Sequence, residues 1–194
     1  MAAGVLFVVP NLLILAEDPE DPIGSVTSAS YAVSVGLALL AGVLLTGALV
    51  GLYVHQSEAA GTLGLVGFLL AFAGAVLASG SAWENAFILP VLARETPELL
   101  EAGPPGLVFF GEALSFGLLG VGWILFGLAT YRARVYPGIP AVLLVAGGVL
   151  TLVPIPSLVL GVVVGIVLDV AVAWLGFALL TGRGAPAEQS SRVR

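Results

Sequence analysis

Apolar residues along this chain gather into six runs separated by short polar stretches, at residues 2–16, 31–54, 61–83, 107–130, 138–153 and 157–181. Crossing the hydrocarbon of a bilayer takes about 20 mostly apolar residues in a helix that rises about 1.5 Å per residue. The second, third, fourth and sixth runs meet that length. The first and fifth, at about 15 and 16 residues, reach only about 22 to 24 Å and suit a re-entrant or interfacial piece as readily as a span. Pro137 and Pro140 precede and enter the fifth run, and Pro154-Ile155-Pro156 closes it. Proline fits a first helical turn but stops a helix when it recurs at the end, so a tight hairpin into the sixth run is expected. The first run starts at Met1 without the basic lead of a secretory signal. Two expectations follow: a start upstream of this Met, or a helix that enters the bilayer incompletely.

The pattern predicts an all-α integral membrane helical bundle of about six transmembrane helices. It occupies residues 1–181 as one domain, and residues 182–194 form a flexible polar cytoplasmic tail. Basic residues in short loops stay in the cytoplasm, whereas acids matter little. A cytoplasmic N-terminus puts Arg132, Arg134, Arg183, Arg192 and Arg194 inside, five of the six arginines, and leaves Arg94 outside. The acidic stretch Glu17-Asp18-Pro19-Glu20-Asp21-Pro22 and the longer segment 84–106 then also lie outside. The reverse orientation would expose the same five arginines, so both termini are expected in the cytoplasm.

Aromatic residues agree with this arrangement. Tyr31 and Trp83 fall at the outer boundary and Tyr53, Tyr131 and Tyr136 at the inner one, where a ring with a polar tip is favoured. Trp123 and Trp174 are assigned to the bundle core. In the segment after the third span, Thr96, Pro97 and Glu98 form a helix-start signal. One or two short helices are therefore expected on the outer surface between the third and fourth spans, apolar side down. His55 is expected to end the second helix in a cytoplasmic loop.

Composition turns this pattern into a choice of solvent. Of the 194 residues, 59% are hydrophobic and only 9% charged, with a mean hydropathy of +1.14, whereas a soluble domain is about a quarter charged. A water-soluble fold would need polar side chains for its surface that this chain lacks. The net charge of −6, with six arginines and no lysine, offers no basic patch for nucleic acid. The absence of cysteine removes disulfides, thiolate metal sites and iron–sulfur clusters. One histidine supports neither a bis-histidine haem nor a zinc site of the His-Glu-x-x-His kind, and without lysine no retinal Schiff base forms. No nucleophile elbow or P-loop is present. No metal and no cofactor is expected, and any enzyme here would have to work with carboxylates alone. Zero lysine beside 26 glycines hints at a GC-rich, bacterial genome.

The polar groups inside the apolar runs are the candidates for function. Small residues mark packing faces between helices in lipid, and Gly161, Gly165, Asp169 and Ala173 recur at steps of four along the sixth run. That spacing places Asp169 on an inward stripe, about 18 Å from each end of its helix. A carboxylate at such depth costs about 2.5 to 3.5 kcal/mol and is a functional candidate by default. It is either a proton-accepting or ligand-contacting group, or a structural one hydrogen-bonded to a neighbouring helix. Glu112 lies about 8 Å into the fourth run, with Ser115 on the same face. Glu84, Asn85, Glu112 and Ser115 would make a polar vestibule leading toward Asp169, or else separate interfacial groups. Asn11, beside Pro10, either satisfies the carbonyl that proline frees or bonds across to Asp169. Gly47 and Gly51 form a GxxxG pair read as close packing.

Four features follow one another along the chain: an acidic outer loop, Trp-Glu followed by Pro-x-Leu-Ala (Trp83 to Ala93), Arg-x-Arg-x-x-Pro (Arg132 to Pro137), and Trp-Leu-Gly (Trp174 to Gly176). In this the chain resembles small polytopic membrane proteins of bacterial genomes. The resemblance spans most of the chain and implies a fold type but no activity, so no functional residue is carried over. The functional expectation is a non-catalytic accessory or lipophile-binding bundle in the bacterial cytoplasmic membrane. Its partners would be the lipid bilayer and a lipophilic small molecule or another membrane protein. The alternatives are a proton-coupled transporter or channel-like protein using Asp169 and Glu112 and, behind it, an intramembrane enzyme on a lipid-like substrate.

Overall fold

The computed structural model describes residues 1–18, 21–101, 106–153 and 157–182. The Pro154-Ile155-Pro156 stop, Pro19 and Glu20 of the acidic stretch, and the tail with Arg183, Arg192 and Arg194 lie outside the described residues. Within them the chain is all-helical: α1 (Ala2–Leu13), α2 (Pro22–Thr27), α3 (Ala29–Phe87), α4 (Leu89–Glu95), α5 (Pro97–Glu101), α6 (Gly106–Ala133), α7 (Gly138–Thr151) and α8 (Leu158–Leu180). A 3-10 turn, Ile14–Ala16, follows α1.

The 59 residues of α3 would stretch about 88 Å if straight. They do not, because the chain folds back at Gly61. The Tyr31 hydroxyl donates to the Asn85 carbonyl at 3.2 Å, Gly42 sits against Ser79, and the Tyr53 ring stacks on Phe68 at 4.5 Å. As one number rises its partner's falls, so the two limbs are antiparallel. Gly61 makes the reversal alone, at φ 56° and ψ −155°, a region essentially restricted to glycine. The expected loop around His55 is therefore absent: helix continues through His55 and Gln56 to Gly61. A glycine that turns the chain without leaving helical hydrogen bonding on either side removes the need for one.

The same falling register relates the other rods. Gly67, Ala71 and Gly74 of the second limb oppose Phe126, Gly122 and Leu119 of α6. Gly127 and Gly120 of α6 oppose Leu144 and Gly148 of α7, Gly147 of α7 meets Leu168 of α8, and Gly4 and Asn11 of α1 face Ala173 and Gly165 of α8. Contacts of α1 with α3, α3 with α6, α6 with α7, α7 with α8, and α8 with α1 close these alternating rods into a ring. Met1, Gly61, the α6–α7 turn and Leu180 come to one end, here the Gly61 end. Helices α2, α4 and α5 pack on one another over the opposite, cap end.

Three helical stretches, Ala29–Glu95, Gly106–Ala133 and Leu158–Leu180, are long and apolar enough to cross a membrane. Helices α1 and α7, at 12 and 14 residues, are shorter than that. Large apolar side chains cover the outside, among them Leu107 at 85% exposure and Phe109 at 69%. Such a surface suits acyl chains as solvent and not water. Trp123 is buried as expected of a core residue, but Trp174 is 40% exposed and looks outward, because the face of α8 that α1 covers is the small-residue one. Pro97 opens α5, yet the Thr96 hydroxyl is buried without a hydrogen-bond partner among the described residues and does not cap the helix.

Candidate functional site

Helix α1 is pressed against α8 through small residues. A Cβ on Gly4 would fall on the Asp169 carbonyl, one on Gly165 would strike the Asn11 side chain, and one on Gly176 would meet Met1. That close approach carries the Asn11 amide to the Asp169 carboxylate, with Nδ2 donating to Oδ2 at 2.8 Å. Asp169 is buried, and Asn11 is half-buried. Of the two roles considered for Asn11, the structure draws the bond across to Asp169. Gly161, expected on the same packing stripe, faces open space. The physical reason is length: helical α1 ends at Leu13, one turn before the stripe on α8 does.

Two cavities flank this region in the cap half of the ring. The first, of about 270 Å³, lies between the limbs of α3, α1 and α6, with Phe7, Leu45, Phe116 and Leu119 among its walls. Its polar lining is confined to Ser79, Ser81, Asn85 and Glu112, and the Ser79 hydroxyl is already committed to the Ala75 carbonyl at 2.8 Å. Asn85 and Glu112 thus share one compartment. Their expected companions stand apart: Glu84 is not among the lining residues, and Ser115 is buried with its hydroxyl turned back onto the Gly111 carbonyl at 2.8 Å. The second cavity, of about 320 Å³, is bordered by Asn11, Thr151, Gly161 and Gly165, and again by Phe116 and Leu119. Asp169 lines neither cavity, being covered by α1.

The Gly61 end holds a polar cluster that the sequence reading did not single out. Gln56, 1% exposed, donates through Nε2 to the Thr130 hydroxyl at 2.9 Å, and Thr130 donates onward to the Phe126 carbonyl at 2.8 Å. The Gln56 Oε1 is buried without a partner among the described residues. Arg134 adopts φ 52° in the α6–α7 turn, and two residues later Tyr136 is buried with its ring 5.5 Å from that of His55. Burial pushes the Tyr136 phenol up to about 12, so it stays protonated, and its hydroxyl has no partner among the described residues. A glutamine at the edge of an apolar run was the available signal, since an amide there must find a partner on a neighbouring helix.

A Cβ on Gly51 would stand 3.6 Å from the Leu179 side chain, and one on Gly47 would meet nothing within 4 Å among the described residues, so this GxxxG pair does not mark a tight helix crossing. The tight crossing is made by Gly67 and Gly74 on the second limb and Gly122 on α6, where an added Cβ would strike backbone. Small residues spaced by three and four from Ala60 to Gly74 were its signature. On the cap side, Glu17, Asp18 and Asp21 border a polar recess. Asp21 is spent as the α2 cap, accepting from the Gly24 N–H at 2.9 Å, and burial raises the Glu17 carboxyl. No cluster among the described residues has the makings of a metal site. Comparison with protein-family models, with curated proteins and with solved structures returns no match.

Proposed function

We propose that this chain is a non-catalytic bundle of the bacterial cytoplasmic membrane that holds a single-chain amphiphile in the cap half of its ring. The observation that carries the reading is the first cavity, whose walls are apolar except for Ser79, Ser81, Asn85 and Glu112. A mostly apolar cleft with a few convergent polar groups is the usual form of a small-molecule site, and about 270 Å³ is near the lower end of the usual size range. Its occupant has a slender chain and a head that donates hydrogen bonds to the Glu112 carboxylate. In nanodiscs the protein is expected to retain octanol, detected by native mass spectrometry after release. Glu112→Leu should cut retention by about tenfold, as loss of one charge-assisted hydrogen bond does. Equal retention by both proteins would refute this role for Glu112.

The topology that accompanies this reading has six crossings, α1 and α7 being short ones, with both termini in the cytoplasm. The alternating rods and the arginines Arg132 and Arg134 beside the Gly61 end support it. Because the parent has no cysteine, single cysteines report cleanly. One near Asp18 or Glu98 should react with an impermeant reagent from outside, and one near Arg134 from inside. The opposite result reverses the orientation.

Proton-coupled transport remains the second reading, favoured by the Asn11–Asp169 pair beside the second cavity. It requires Asp169→Asn to abolish pH-driven flux in proteoliposomes. Unchanged flux would remove it.

A further inference from the structure

The two cavities share a wall. Phe116 and Leu119 line both, Glu112 lines only the first, and Asn11 only the second. Glu112, Phe116 and Leu119 follow one another on α6 at steps of four and three, so all three stand on one stripe, the one that borders the cavities. The two wall residues differ in freedom. Leu119 belongs to a fixed stretch of α6, because its backbone nitrogen and Cα lie where a Cβ on Gly74 would be. Phe116 is 46% exposed, and the next residue, Gly117, has nothing within 4 Å of where a Cβ would stand. Rotation of the Phe116 ring about its first side-chain torsions moves the partition without moving a helix, and exposed side chains make such flips quickly.

Each polar side chain of the second chamber already makes one hydrogen bond. Asn11 gives an amide N–H to Asp169 at 2.8 Å, and the Thr151 hydroxyl donates to the Gly147 carbonyl at 2.8 Å. The first chamber retains Glu112 for a ligand's head, while the second offers mainly apolar wall, with Leu150, Val153, Val164 and Leu168 beside the shared pair. A head in the first chamber and a tail in the second is the arrangement that these linings fit.

Resting on the amphiphile-binding reading above, we propose that the two cavities are the two halves of one elongated site and that Phe116 is the residue that sets how long a chain it takes. The head, an alcohol or amine, lies at Asn85 and Glu112, and the tail of a longer ligand passes Phe116 toward Asn11 and Gly165. In lipid an acyl chain gains nothing by leaving one apolar medium for another, so length selectivity comes from the shape of the passage.

The experiment uses the full chain in nanodiscs loaded with primary alcohols from octanol to octadecanol at equal mole fraction in the lipid, with retention read by native mass spectrometry. Wild type is expected to retain short and long alcohols alike. Phe116→Trp should lower retention of octadecanol by about tenfold, the effect of overfilling a packed space, and that of octanol by less than about twofold. Phe116→Ala, the companion variant should the tryptophan not fold, should retain octadecanol at least as well as wild type and prefer it to octanol. Loss of both lengths in parallel, or the same length profile in all three proteins, overturns the role of Phe116 while leaving the first cavity as a site. Failure of wild type to retain octanol at all overturns the underlying reading together with this one.

Discussion

At the Gly61 end of the ring, Gly67, Ala71 and Gly122 bring two helix backbones into contact, and side chains as large as Trp123 and Phe126 are fully enclosed beside them. At the cap end, the first cavity lies between the limbs of α3, α1 and α6 and the second between α6, α7, α8 and α1, and the polar side chains Asn85, Glu112 and Asn11 line one or the other. Polar groups occur at both ends, but they are used differently. Gln56 and Thr130 are locked to each other inside packed helices, whereas Glu112 borders open volume. The difference lies in the spacing of small residues: glycine and alanine every third or fourth position closes a seam in lipid, and beyond the last tight contact, Gly74 on Leu119, Phe116 interrupts that spacing on α6 and the cavities begin. One end reads as a clasp and the other as a container.

The largest expected effect breaks the clasp. Gly67→Leu would drive a side chain into the Phe126 backbone and should cost about 3 kcal/mol or more in reversible unfolding. Gly80→Leu, in the cap half where nothing lies within 4 Å of the added atom, should stay within about 0.5 kcal/mol. Equal losses at the two positions would erase the contrast. Next comes the turn: Gly61→Ala forces a Cβ into a backbone region that only glycine occupies freely and should cost about 2 kcal/mol. A neutral Gly61→Ala would mean that the limbs do not meet through this conformation.

The smallest effect concerns the pair between the two ends. Asn11→Leu strips Asp169 of its partner and should cost about 1 kcal/mol, since interhelical hydrogen bonds in lipid are worth about 0.6 to 2 kcal/mol. Asp169→Asn keeps an acceptor for the Asn11 amide and should lie within about 0.5 kcal/mol of wild type. If Asn11→Leu were the milder change, the bond would not be the reason for the burial of this carboxyl.

How much of this was legible in the sequence follows from what each signal measures. Hydropathy reports solvent, so the helical, membrane-type character was plain, whereas the meeting of Asn11 with Asp169 was legible only as one of two options, because the carbonyl that Pro10 frees was an equally near partner for the amide. Hydropathy does not report where a chain bends. The step at His55 to Ala60 looked like a loop because it is polar, yet Gly61 turns the chain within continuous helix. Glycine spacing was a fair guide only where a partner helix was present to use it: Gly165 packs and Gly161, one turn on, outlasts α1. Asn85 and Glu112 fell together because limb and helix register match, a property of the α3–α6 seam. Ser115 did not join them, since a serine in a helix bonds its own preceding turn when no better partner faces it.

The amphiphile proposed for this protein would lie in the first cavity, and filling that cavity tests whether it does. Ala78 is one of the residues lining it, so Ala78→Phe puts a ring where the ligand's chain would lie. Native mass spectrometry of the two proteins released from octanol-loaded nanodiscs should show a bound octanol on wild type and, at unchanged thermal stability, about tenfold less on Ala78→Phe. An octanol adduct of the same abundance on both proteins would contradict it.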